Sequence, residues 1–351
     1  MVGGLAGGMV SQTFVGAFAL DKLDLEQASQ DLAWNCRVLK FEPEPEHDSP
    51  PVITDVAVQR DGELLAIVGD DHLVRLCSKK TGELIKKLHG HEDWVRCAQF
   101  SPDGTRLISA GNDRNVLEWN LTNGQLLRRF ARQSDAVVAV AFDRTGDRLA
   151  TAGFQNRVLV YNMADGQVIH DLECPDADMR SVAFSSDGQY LAAGGRSGTV
   201  RVWEAASGQM IRDLVIHRRR IHRVLFADHG ETLISCADDR LVKLTPVNGG
   251  ESIALPRRPC KVQTVTMVGP NLIASAGSDN LIRLWDRSTY EEIGKLVGHR
   301  GTVTTLAFDG EALYSGSYDT EVRIWTVNSE TAKRWRTVPE IGQRPRGSSI
   351  Q

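Results

Sequence analysis

A histidine, a serine and an aspartate stand at His91, Ser109 and Asp113, and the same three types return at His299, Ser315 and Asp319. Such side chains perform acyl transfer when an imidazole takes a proton from a serine hydroxyl and a carboxylate orients the ring. A tryptophan follows each set at one spacing, Trp119 and Trp325. A set that recurs on a beat belongs to a repeat rather than to one catalytic centre, so no catalytic residue is assigned. His89 with His91, and His217 with His222, are the nearest approach to a metal pattern. No cluster of histidines and carboxylates has ligand spacing, so neither a metal nor a cofactor is expected.

The beat is explicit. Gly62, Gly104, Gly146, Gly188 and Gly230 lie 42 residues apart, and Gly82, Gly124, Gly166, Gly208 and Gly250 keep the same step. A third series, Cys77, Trp119, Tyr161, Trp203, Thr245, Trp285 and Trp325, extends it to seven copies, the last two at a 40-residue step. Each copy reads as four short strands: an apolar strand A, a tight turn such as Ser101-Pro102-Asp103-Gly104, strands B and C, and a glycine turn into strand D. Units that bury one face each must stack to close a core.

Gly90-His91, Gly298-His299 and Trp285-Asp286, set in seven such units, resemble the WD-repeat family of β-propellers over residues 33–338. The resemblance implies an all-β fold, a seven-bladed propeller of four-stranded antiparallel blades. It also implies that His91, Ser109, Asp113 and Trp119, like His299, Ser315, Asp319 and Trp325, form buried hydrogen-bond relays, with His217 at the same position. The third unit has Gln133, Thr151, Gln155 and Tyr161, and the fourth has Pro175, Ala193, Ser197 and Trp203. The sixth has Arg258 where the histidine would sit. These blades are expected to rely more on apolar packing.

By the family's geometry, binding residues gather where the D-to-A and B-to-C loops meet the central channel. Carried onto this chain, that face holds a basic arc, Arg96, Arg180, Arg196, Arg220 and Lys261, with His222 beside it and Asp70, Asp178 and Asp238 neutralising part of it. It also holds the aromatic trio Trp94, Phe154 and Tyr318. Arginine forks bind carboxylate or phosphate at two points, and flat aromatics anchor partners. The expected function is a non-catalytic interaction scaffold that binds a partner protein or acidic peptide at the channel mouth. The alternatives are a propeller enzyme or small-ligand sensor acting in the channel, or the propeller part of a larger exported protein.

The 351 residues are 41% hydrophobic and 25% charged, with a net charge of -4, which argues against a nucleic-acid partner despite the run Arg218-Arg219-Arg220. The six cysteines show no zinc spacing and are expected to be buried apolar residues, with disulfides if the domain is exported. Residues 1–32 read as an apolar leader and linker, and residues 339–351 as a disordered tail. Residues 1–20 carry no charge and suit a membrane anchor or signal remnant, which would place the protein at a membrane or export it; a disordered leader would leave it cytoplasmic. Residues 36–41 alternate like a strand D and are expected to close the ring, with residues 333–336 as the alternative.

Overall fold

The computed structural model describes residues 34–45 and 48–327. The leader at residues 1–32, the alternative closing segment at residues 333–336 and the tail lie outside the described residues. Seven four-stranded antiparallel sheets form the blades of a propeller. Their inner strands A are Ile53–Val58, Val95–Phe100, Val137–Phe142, Met179–Phe184, Ile221–Ala227, Val262–Val268 and Val303–Phe308. Among the described residues the only helix is a single turn, Asp228–Gly230, and none is long and apolar enough to cross a membrane.

Seven apolar clusters each lie between two neighbouring blades. A blade with two apolar faces has no core of its own, so stability comes from its contacts with its neighbours, and a ring alone covers every face. The strand C aromatic is the wedge: Trp203 packs among residues of blade 3 and Trp285 among those of blade 5. Gly90 leaves room for it, since a Cβ there would lie 2.9 Å from the Trp119 ring.

The outer strand of blade 7 comes from Trp34–Lys40, which pairs antiparallel with Glu321–Val327 in the register Cys36 to Trp325 and Lys40 to Glu321. It begins two residues before the expected segment and ends one residue before it. Strand alternation divides its side chains between the two neighbouring blades. Trp34 joins the cluster between blades 6 and 7, and Leu39 joins the one between blades 7 and 1. The Arg37 guanidinium donates to the carbonyl oxygens of Lys79, at 2.5 Å, and of Lys80, both in blade 1. The cysteine expectation needs correction: Cys77, Cys97, Cys174 and Cys236 are buried, but Cys36 is exposed, Cys260 is half-buried, and all six are free.

Candidate functional site

Every strand A carries the same irregularity. The register with strand B slips between Ile53 and Asp55, Val95 and Cys97, Val137 and Ala139, Met179 and Ser181, Ile221 and Arg223, Val262 and Thr264, and Val303 and Thr305. A β-bulge adds one unpaired residue and re-aims its side chain. Here the added residues are Thr54, Arg96, Val138, Arg180, His222, Gln263 and Thr304, and all seven line one cavity of about 140 Å³ on the ring axis. The bulge needs close approach by strand B: a Cβ on Gly111 would collide with the Trp94 carbonyl oxygen. In blades 1, 2, 5, 6 and 7 it also brings the third residue of strand A to the channel, where Asp55, Cys97, Arg223, Thr264 and Thr305 line the cavity, and Val56 and Val224 resume the core at the fourth position.

At the mouth, the arginines and aromatics that the sequence separates into two groups stand in pairs. Arg96 lies over the Trp94 ring at 4.8 Å, and Arg180 over the Phe154 ring at 4.7 Å. Stacking fixes the guanidinium plane and leaves its edge free to donate. Trp94 and Tyr318 are 38% and 52% exposed, so each offers apolar surface to a partner. The partial neutralisation of the arc expected from three aspartates comes from two of them, Asp178 and Asp238, since Asp70 enters no ion pair among the described residues. Asp178 takes Arg220 at 2.8 Å and Arg180 at 2.5 Å from a left-handed backbone position (φ 68°). Asp238 takes His222 at 2.9 Å and Lys261 at 3.5 Å. Burial lowers the His222 pKa and Arg180 and Arg220 add to that, against the opposing pull of Asp238. Among the described residues Arg96 and Arg196 enter no ion pair; Arg96 Nε donates to Asn112 at 2.7 Å.

The recurrent His, Ser and Asp sets lie away from this surface, between blades. His91 Nδ1 is 2.8 Å from Asp113 and its Nε2 2.8 Å from Ser109 Oγ, which also accepts from Trp119 Nε1 at 2.8 Å. His299 repeats this with Asp319 at 2.9 Å and Ser315 at 2.7 Å, and Trp325 donates to Ser315 at 2.9 Å. Blade 5 adds His217, 3.0 Å from Asp239 and 2.8 Å from Ser235. An ionised carboxylate only accepts, so Nδ1 carries the proton; with a neutral ring, Nε2 accepts from the serine hydroxyl. Ser109 and Ser315 are fully buried with both hydroxyl roles taken, so they face no substrate. His299, Asp319 and Glu321 are grouped closely enough to suggest a metal, but both ring nitrogens of His299 are already engaged.

Two departing blades keep polar links rather than purely apolar packing. In blade 3, Gln155 donates to Gln133 at 2.8 Å and Gln133 donates to the Tyr161 hydroxyl, a neutral version of the chain. In blade 6, Arg258 reaches Ser275 at 3.5 Å and Asp279 at 3.5 Å and lies 5.4 Å over the Trp285 ring. A long cation thus spans the place of the imidazole.

The model of the WD domain, G-beta repeat, matches residues 82–120, 166–204 and 290–326. Each match starts at the turn into strand D of one blade and ends at strand C of the next, the offset that makes one terminus complete the other's blade. The chain carries three WD repeats by this match, within a propeller of seven blades. It is 34% identical over 115 residues to the WD repeat-containing protein 18 of Bos taurus, covering 28% of this chain and 27% of that one. It is 30% identical over 112 residues to the ribosome biogenesis protein YTM1 of Candida albicans, covering 27% and 24%. It is 41% identical over 61 residues to a U3 snoRNP-associated protein-like chain of Arabidopsis thaliana, covering 17% and 13%. The chain spans less than a third of the length of the relatives it matches. WD-repeat propellers are typically interaction scaffolds.

Sequence reasoning missed Arg223, the third residue of strand A in blade 5, which lines the channel cavity beside Arg96 and Arg180. Plain alternation puts a third residue on the side of the first, which here is the fully buried Ile221. The one available signal was a charged residue where five other blades carry Cys97, Ala139, Ser181, Thr264 and Thr305, a charge shared only with Asp55 of blade 1.

Proposed function

We propose that this WD-repeat ring is a non-catalytic scaffold that binds an acidic segment of a partner protein at the channel mouth, through Trp94, Arg96, Phe154, Arg180, Arg196, Arg220, His222 and Tyr318. The observation that carries the reading is the pair of arginine-on-aromatic stacks, Arg96 over Trp94 and Arg180 over Phe154. A stacked guanidinium is held by its ring before any ligand arrives, so less side-chain entropy is lost on binding a carboxylate. The ring backbone supports both stacks rigidly, because each arginine is a bulge residue of an inner strand.

The test is a titration of recovered partner against variants at low and high salt. Charge reversal at Arg180 with Arg196 is expected to weaken binding at least about tenfold, or ~1.4 kcal/mol, with circular dichroism and melting unchanged. Wild-type weakening with salt and a Trp94→Ala loss that persists at high salt would separate charge from apolar burial. Wild-type affinity in the arginine double variant would place the partner on another surface. Two relatives are named for ribosome biogenesis and for a U3 snoRNP, so an RNA arm belongs in the same titration. Tighter binding to RNA than to the acidic partner would overturn the reading.

A further inference from the structure

We propose that the channel beneath the mouth is a binding site for a tetrahedral dianionic oxyanion, a phosphate-type group held by Arg96, Arg180, Arg223 and Gln263. The cavity of about 140 Å³ has three guanidinia in its wall and one carboxylate, Asp55. Asp55 is spent elsewhere: it accepts from the backbone N–H of Val56 at 2.9 Å and of Ala98 at 3.1 Å, and from the Thr305 hydroxyl at 2.6 Å. Arg223 and Arg96 are in no ion pair among the described residues. Arg180 Nε is ion-paired with Asp178 at 2.5 Å, without completing a hydrogen bond, and Asp178 is shared with Arg220. Arg96 and Arg223 without an ion pair, and Arg180 sharing Asp178 with Arg220, leave the wall an excess of positive charge; like charges repel, and an anion among them removes that repulsion. Burial lowers the Arg96 pKa and the nearby Arg180 adds to that, against the opposing pull of Tyr318 and Asp93, so the two guanidinia are close enough to feel one another.

The remaining wall selects the donors. The Thr54 hydroxyl donates to the Val95 carbonyl at 2.5 Å, with Val68 at 3.1 Å as the longer acceptor, and the Thr304 hydroxyl to that of Ile53 at 2.9 Å, so neither supplies a proton to an anion. The Gln263 side-chain amide hydrogen-bonds to no other group among the described residues and lines the cavity. The volume holds one phosphate-sized group with a few waters, at about 30 Å³ per water. Donors come from blades 2, 4, 5 and 6, that is from several directions around the axis, which suits a tetrahedron better than a flat carboxylate. The site shares Arg96 and Arg180 with the mouth reading, but Arg223 and Gln263 lie outside it and no protein partner is required. The oxyanion is either free or carried on the tip of a bound segment.

The experiment is calorimetric titration of the full chain with inorganic phosphate, with acetate, and with one peptide in phosphoserine and unmodified forms. Phosphate is expected to bind at least about tenfold more tightly than acetate, and Arg223→Met to weaken it at least about tenfold while melting stays put. Arg223→Lys, which keeps the charge, should retain part of the affinity, and it serves if the methionine variant unfolds. Binding of free phosphate supports a free-anion occupant; binding of the phosphoserine peptide alone supports the carried group. No heat from phosphate up to about 10 mM, together with equal affinity for the two peptides, overturns the proposal. Phosphate binding unchanged in both Arg223 variants overturns it as well. An Arg223-dependent phosphate signal in a protein whose partner ignores the Arg180 and Arg196 reversal would leave this site standing while the mouth reading falls.

Discussion

Blade 5 contains two histidine–aspartate pairs of nearly equal length, His217 with Asp239 at 3.0 Å and His222 with Asp238 at 2.9 Å. The two aspartates are chain neighbours at the end of strand B, yet they face opposite ways. His217 is wholly buried, locked between Asp239 and Ser235, and Asp239 also accepts from the backbone N–H of Arg218 and Leu241. His222 sits on the bulge at the channel, and its aspartate is shared with the exposed Lys261. Burial raises both carboxyls and their partners more than offset it, so both end up lowered. Titration direction therefore does not separate a structural pair from a recognition pair. The surroundings do: one pair ties loop to strand, the other sets the charge of a mouth.

The strongest break removes the ring on which both pairs stand. Deleting residues 34–40 strips the outer strand from Glu321–Val327 and leaves a bare edge, so the protein is expected to aggregate and lose cooperative melting. A monomeric ring with the parent melting curve would show that the strand is dispensable. Next in size, Asp239→Ala should lower stability by roughly 1 to 3 kcal/mol in urea titration, because it strands buried donors. Asp238→Ala should stay within about 0.5 kcal/mol of the parent. Equal losses at the two neighbours would erase the comparison.

Acid sharpens it from another side. Burial raises the Asp319 carboxyl, but the hydrogen bonds from His299 and from the Arg300 and Glu321 backbone hold it down at about 2. A lowered carboxylate contributes its full stability above the unfolded value and loses it as pH falls through the folded one. The melting temperature should therefore hold through mild acid on account of this group and drop between about pH 4 and pH 2. Asp319→Asn should start lower and lose that segment of the curve; an unaltered slope would remove the relay from the account. The smallest effect concerns the mouth: Asp238→Asn frees His222 and Lys261 and should tighten an acidic partner by about threefold, under ~1 kcal/mol, with stability unchanged. Weaker binding would mean that Asp238 itself contacts the partner.

Residue types and spacing alone determined the sevenfold repeat and the four strands of each unit, because these follow from short local patterns copied along one chain; the partners of His91 and His299 came from the family resemblance. The family's geometry also placed Arg96, Arg180 and His222 on the positions that become bulges. Other features needed three dimensions. Arg223 reaches the channel only because the bulge shifts the phase of strand A, and that slip is a property of pairing with strand B. The halving of the basic arc by Asp178 and Asp238 depends on distances between blades, and Arg258 takes a histidine's place because its length happens to bridge Ser275 and Asp279. Alternation already marked residues 36–41 as the closing strand; what only the ring decided is that the two faces of Trp34–Lys40 meet apolar surface on blades 6 and 1, a match that no single unit contains.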